Sequence, residues 1–277
     1  MRDVSARFPS MKPPHTTIAF EAFGARIGIR TAEPVASELQ LRLPPRARLI
    51  TTEDYDTVYS VDSTPSGSSS DDAGFQLARD GVGVGSFPTL SDIRREIESD
   101  MHFRVALAAR DFLFVHAGVV RWNGRAVVVP GRTETGKSSL TMALVRAGGA
   151  YYSDEYAVLD GDGRVHPYAK PLFQRQKTGP PRQFAAEELG SPPDAGAVPM
   201  GLTVVTRFRA GTVWNPQRIS KAQAMMALFD NTVVARIRPE FALTVLAKAV
   251  ESTTGLEGDR GEAAEMTSAL LAAVDGA

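Results

Sequence analysis

Apolar and polar positions alternate with a period of two in several short stretches of this chain, and with a period of three to four in others. Thr16–Phe20 and Ala25–Thr31 read as strands joined by a turn near Gly24, with Leu39–Leu43 and Val58–Val61 as further strands. The stretch up to Pro14 reads as a loose tail. Ser63–Ala73 is mostly Ser, Asp and Gly with one Pro, too polar to bury, and reads as a mobile loop. From about Asp92 the period changes: Ile93, Ile97, Met101, Val105 and Ala108 fall on one face of a helix running to about Arg110. Phe112–Val120 and Ala126–Val129 are strongly β-forming. The Asn123-Gly124 pair between them predicts a tight hairpin, because both turn positions favour positive φ.

Past residue 129 the pattern predicts alternating elements. Leu140, Ala143, Leu144 and Ala147 form a helical stripe stopped by Gly148-Gly149. Ala150–Tyr152 reads as a strand. Tyr156–Leu159 and Arg164–Tyr168 flank Asp160-Gly161-Asp162-Gly163 as a second hairpin. Residues 179–199 are rich in Pro and Gly and predict an irregular excursion. Leu202–Phe208 follows as a strand, and three helices close the chain: one capped by Ser220 with Gln223 three residues on, then Pro239–Ser252 and Gly261–Val274. No repeat of solenoid period is present. The expected fold is α/β (α+β), a central mixed β-sheet with flanking helices. Its domains are a β-rich N-terminal region, residues 1–91, that either shares the main sheet or stands apart, and a nucleotide-binding region, 92–277.

Composition narrows the function only slightly. The 277 residues carry a formal net charge of −1, which argues against a general nucleic-acid or anionic-membrane surface. There is no cysteine, so disulfides, thiolate metal sites and cysteine nucleophiles are excluded. No apolar run approaches the roughly 20 residues that span a bilayer, and a cytoplasmic protein is expected.

One motif carries chemistry directly. Gly131-Arg132-Thr133-Glu134-Thr135-Gly136-Lys137-Ser138 matches G-x-x-x-x-G-K-[ST] at every required position, between an apolar strand and an amphipathic helix. Such a loop curls so that successive backbone N–H groups face phosphate oxygens, while the following helix aims the positive end of its dipole at the same anion. Lys137 would bridge the outer phosphates, the Ser138 hydroxyl would ligate Mg²⁺, and Ser139 completes the helix start. The chemistry also needs a carboxylate at the end of a neighbouring strand. Asp154-Glu155, after Ala150–Ser153, has that placement. Asp154 is the candidate to join Ser138 as a metal ligand, and Lys137, Asp154 and Glu155 are the candidate catalytic residues. His116, inside Phe112–Val120, would by composition alone be a core histidine.

At these residues the chain resembles the HPr kinase/phosphorylase superfamily, whose nucleotide fold is shared with phosphoenolpyruvate carboxykinase. The likeness runs over about residues 93–175, through His116-Ala117-Gly118, Pro130-Gly131 to Ser139, Tyr152-Ser153-Asp154-Glu155, Arg164–Tyr168 and Lys170-Pro171-Leu172. It looks closest to shorter HPr-kinase-like proteins, some of which phosphorylate serine on a precursor peptide. The resemblance implies a phosphotransferase that uses ATP and Mg²⁺ to phosphorylate a serine-type hydroxyl of a peptide or protein. It makes His116 the residue that orients one acid of the pair, and leaves open which acid binds metal and which serves as base. The family has Asp-Asp where this chain has Asp154-Glu155, and Gly where Glu134 stands. Arg175, beyond Lys170-Pro171-Leu172, is the candidate for a phosphate or substrate contact. A sugar or metabolite kinase on the same fold, and a nucleotide-dependent switch or ATPase, are the alternatives. Family hexamers leave a homo-oligomer open.

Overall fold

The computed structural model describes residues 16–64, 74–131, 136–174, 179, 182–191 and 196–276. Met1–Pro14 and most of Ser63–Ala73 fall outside them. The chain divides into two compact units, Met1–Ala108 and Ala109–Ala277. It is a mixed α+β protein with six α-helices among the described residues.

In the first unit, β1 (Thr16–Ala22) and β2 (Ala25–Thr31) form a hairpin through Phe23-Gly24, both at positive φ. They are followed by α1 (Glu33–Leu39), β3 (Arg48–Leu49), β4 (Thr57–Thr64), β5 (Gly74–Arg79), β6 (Val82–Phe87) and α2 (Leu90–Ala108). The strands make a sheet of order β3-β1-β2-β4-β5-β6, antiparallel except for the parallel β2–β4 pair. No described strand of this sheet pairs with the second unit, so the region has its own sheet rather than a share of a larger one.

Ile93, Ile97, Met101 and Val105 of α2 are buried, as their spacing predicts. This helix packs on β2, β5 and β6, and the division accordingly falls after Ala108 rather than at 91/92. The strand expected over Leu39–Leu43 is absent. Pro34 in the first turn, with its preset φ, instead starts a helix that ends at Leu39. Asp100 on α2 is the polar anchor of this unit, accepting from Tyr59 Oη at 2.7 Å and Arg79 Nη1 at 2.9 Å, with Arg104 Nε at 3.2 Å.

The second unit opens with β7 (Leu113–Trp122) and β8 (Arg125–Pro130), joined by Asn123-Gly124 at φ of 44° and 76°. Then come α3 (Lys137–Arg146), β9 (Ala150–Ser153), β10 (Tyr156–Leu159), β11 (Val165–His166), β12 (Leu172–Gln174), β13 (Arg182–Phe184), β14 (Met200–Phe208) and β15 (Gln217–Ile219). α4 (Lys221–Phe229), α5 (Pro239–Val250), β16 (Thr254–Arg260) and α6 (Ala263–Asp275) complete it. The capping box at Ser220 and Gln223 is present on α4. The sheet order is β11-β10-β7-β8-β14-β16-β15, with β9 also on β7 and a separate β12–β13 pair.

β8, β14 and β16 run parallel, which gathers their carboxyl ends at one edge, where open α/β sheets bind ligands. α3 and α6 cover one face over Val127, Val129, Leu140, Leu144, Leu202, Val204, Met266 and Leu270. Gly118 permits α3 to lie close, since a Cβ there would stand 2.3 Å from Thr141 Oγ1.

Candidate active site

The acid pair owes its position to a broken strand. β9 and β10 pair antiparallel with the same edge of β7, Val119 opposite Ser153 and His116 opposite Tyr156, and the chain steps out between them at Asp154-Glu155. The step is held by Ser153, whose buried Oγ accepts from the N–H groups of Glu155 at 3.1 Å and Tyr156 at 3.0 Å. Ala117 N–H donates to the Glu155 carbonyl at 3.1 Å, which ties the step back to β7. Two carboxylates therefore project from a fixed backbone rather than from a loop.

The phosphate-loop residues that are described meet this step. Gly136 caps α3 at φ 83°, a conformation that suits glycine, and Lys137 begins the helix. The Ser138 hydroxyl donates to Asp154 Oδ2 at 3.3 Å, and Tyr151 Oη donates to Asp154 Oδ1 at 3.1 Å. Gly131 N–H donates to the His116 carbonyl at 3.1 Å, so the loop leaves β8 braced on β7. Arg132, Thr133, Glu134 and Thr135 lie outside the described residues, as does Arg175.

His116, Lys137, Ser138, Ser139, Asp154 and Glu155 share a cavity of about 470 Å³ with Gly136, Lys170, Pro171, Phe173 and Gln174. Lys170, in the Lys170-Pro171-Leu172 segment, forms an ion pair with Glu155. The sequence signal for Lys170 is the Lys170-Pro171-Leu172 segment, just ahead of the candidate Arg175. A second, polar cavity of about 840 Å³ meets the loop at Gly131 and is lined by Arg207, Asn215, Asp230, Glu257 and Asp259 at the carboxyl ends of the parallel strands. That volume is within the range of small-molecule sites.

Burial sets the protonation states. It raises the Asp154 carboxyl above the ordinary carboxylate range, against the opposing pull of Lys170, Tyr151 and Ser138. Burial likewise lowers Lys137 and Lys170, each partly restored by the Asp154 charge. His116 is lowered by burial and then by the Lys137 charge, so its ring is neutral at pH 7. That ring lies 4.8 Å from the Tyr156 ring and makes no hydrogen bond to Asp154 or Glu155 in the described structure.

The donor set suits a magnesium nucleotide. Ser138 and Asp154 offer two oxygen ligands side by side, and Mg²⁺ is usually held by one or two protein oxygens, with phosphates and waters completing its shell. Among the described residues no group of three or more His, Asp or Glu side chains forms an all-protein metal cage. No described helix is long and apolar enough to cross a membrane. Compared with known protein families the chain matches none, and no curated protein matches it either.

Proposed function

We propose that this protein is an ATP- and Mg²⁺-dependent kinase that transfers the γ-phosphoryl group to a serine-type hydroxyl of a peptide or protein, on a nucleotide fold of the HPr kinase/phosphoenolpyruvate carboxykinase type. The observation that carries it is the 3.3 Å contact between Ser138, at the start of the phosphate-loop helix, and Asp154, at the strand break. A helix N-terminus with Lys137 binds a triphosphate, but only a carboxylate placed beside the Ser138 hydroxyl completes a metal-nucleotide site.

The roles then divide. Asp154, fixed by Tyr151 and Ser138, holds the metal together with Ser138. Magnesium there would neutralise charge on the phosphates. Lys137 binds the outer phosphates. Glu155, the other acid in the cavity, accepts the proton as the acceptor oxygen bonds to the γ-phosphorus and the bond to the β–γ bridging oxygen breaks, releasing ADP. Lys170, beside Glu155, is placed to offset charge on the transferring group. His116 buttresses this wall through Tyr156 and through the loop-bracing bond from Gly131.

The test is incubation with γ-labelled ATP, Mg²⁺ and a library of serine peptides. Label is expected on a subset of peptides with wild type and on none with Lys137→Ala. Absence of any labelled acceptor, with wild type and Lys137→Ala indistinguishable in nucleotide binding, would sink the proposal.

A further inference from the structure

Arg260, the last residue of β16, is 3% exposed, and its guanidinium runs under the phosphate-loop helix. Nη2 donates to the Gly136 carbonyl at 3.0 Å and Nη1 to the Gly261 carbonyl at 2.9 Å. Nε has no hydrogen-bond partner among the described residues, and the side chain forms no ion pair with a described carboxylate. The Glu262 charge and the Phe208 ring, 5.5 Å from the guanidinium carbon, offset only part of the desolvation cost, which still lowers the Arg260 pKa, and a nearby anion would offset more of it.

The anion's place follows from the peptide it touches. The carbonyl of Gly136 also accepts from Leu140 N–H, at 3.2 Å, so it is pinned from two directions. Across a trans peptide the N–H points opposite to the carbonyl. Fixing the Gly136 carbonyl inward therefore turns the Lys137 N–H outward, to where a helix N-terminus meets a phosphate. Gly136 is also the only kind of residue that lets the guanidinium so near: a Cβ there would stand 2.3 Å from Nη2, on a backbone already at φ 83°.

We propose that Arg260 is a positioning residue of the phosphate site, holding the Gly136–Lys137 peptide so that its N–H faces the bound phosphates and supplying a buried positive charge that they complete. This rests on the nucleotide-site reading above. Its ligand is the polyphosphate, not the base or the acceptor, so ATP and inorganic tripolyphosphate should respond alike.

The experiment measures dissociation constants of Mg-ATP and tripolyphosphate by calorimetry, with ligand-free thermal unfolding recorded separately. Arg260→Gln is expected to weaken both ligands by a common factor of about tenfold or more, the usual weight of a charge-assisted hydrogen bond. Gly136→Ala displaces the guanidinium, so adding Arg260→Gln to it should cost little more, whereas independent effects would multiply. Arg260→Gln binding both ligands like wild type, at a temperature where it is folded, overturns the proposal while leaving the nucleotide site standing. Wild type that binds neither ligand overturns the nucleotide-site reading and this proposal with it. If Arg260→Gln does not fold, Arg260→Lys decides: it keeps a charge but lacks the rigid fork, and should bind about threefold or more weakly. Unchanged binding by that variant also refutes the role.

Discussion

Substituting Gly118 by alanine tests whether the close seat of α3 on β7 sets the phosphate site. The added Cβ would lie 2.3 Å from Thr141 Oγ1, with Lys137 Cβ and the Lys137 carbonyl oxygen both at 3.7 Å. Ordinary contact begins near 3.4 Å, so the helix must retreat by about 1 Å at that point. Thr141 is fully buried. Overpacking of this kind costs about 1–3 kcal/mol, which for a unit of this size lowers Tm by roughly 2–10 °C. Because Lys137 starts α3, the same retreat should weaken ATP binding. Thermal unfolding followed by circular dichroism, paired with an ATP titration, reads both effects. Thr141→Ala removes the atom that clashes, so the double variant should regain most of the Tm and the affinity. If Gly118→Ala melts and binds like wild type, or if Thr141→Ala gives no recovery, the packing argument is wrong.

Three further outcomes are expected. Thr141 Oγ1 is buried and lacks a hydrogen-bond partner among the described residues, so the nearly isosteric Thr141→Val should stabilise by about 1 kcal/mol in urea unfolding. Asp154 has its pKa raised by burial, so between the unfolded value and the folded one the native state binds more protons. Ligand-free stability therefore falls as pH rises through that window, and Asp154→Asn should flatten the profile, melt higher at pH 7 and lose any Mg²⁺ dependence of ATP binding. Asp100 behaves oppositely: burial would raise it, but hydrogen bonds from Arg104, Tyr59 and Arg79 outweigh that and hold it below the usual range. Its contribution is present above the unfolded pKa and lost as pH falls through the folded one. Asp100→Asn should cost about 2 kcal/mol at pH 7 and nearly nothing in strong acid.

Elements with a strong period or sharp turn chemistry were legible in the sequence. The α2 face, the Asn123-Gly124 hairpin and the Ser220 capping box stand where the residues put them. The misses share a cause. β16, Thr-Gly-Leu-Glu-Gly-Asp-Arg, has two glycines and three charges in seven residues and shows no apolar alternation; the ladders to β14 and β15 on its two sides make it a strand. β5 and β6 were overlooked although Asp80-Gly81 sits between them, because Val82–Phe87 is mostly exposed and carries two glycines. At the proposed site, the loop and the acid pair were visible because the phosphate chemistry proposed for them demands those residue types at that spacing. Arg260 was not, and Lys170 only as part of the Lys170-Pro171-Leu172 segment, since a lone cation shows no role until the chain folds it against a carboxylate or a carbonyl.

Those two cations change the electrostatics of the proposed site. Lys137, Lys170 and Arg260 gather three positive charges about the acid pair Asp154 and Glu155, with the Glu262 charge also acting on Arg260, and His116 adds none because burial and Lys137 keep it neutral. The N-terminus of α3 adds its own partial positive charge. Each of the three cations is partly or wholly withdrawn from water, which lowers all of their pKa values and makes their charge costly without a ligand. An anionic ligand relieves that cost, while a neutral one does not. Binding strength should therefore track phosphate charge, with ATP ahead of ADP, and ADP ahead of AMP. It should fall less steeply with salt than at an exposed basic patch, because partly buried charges are screened less.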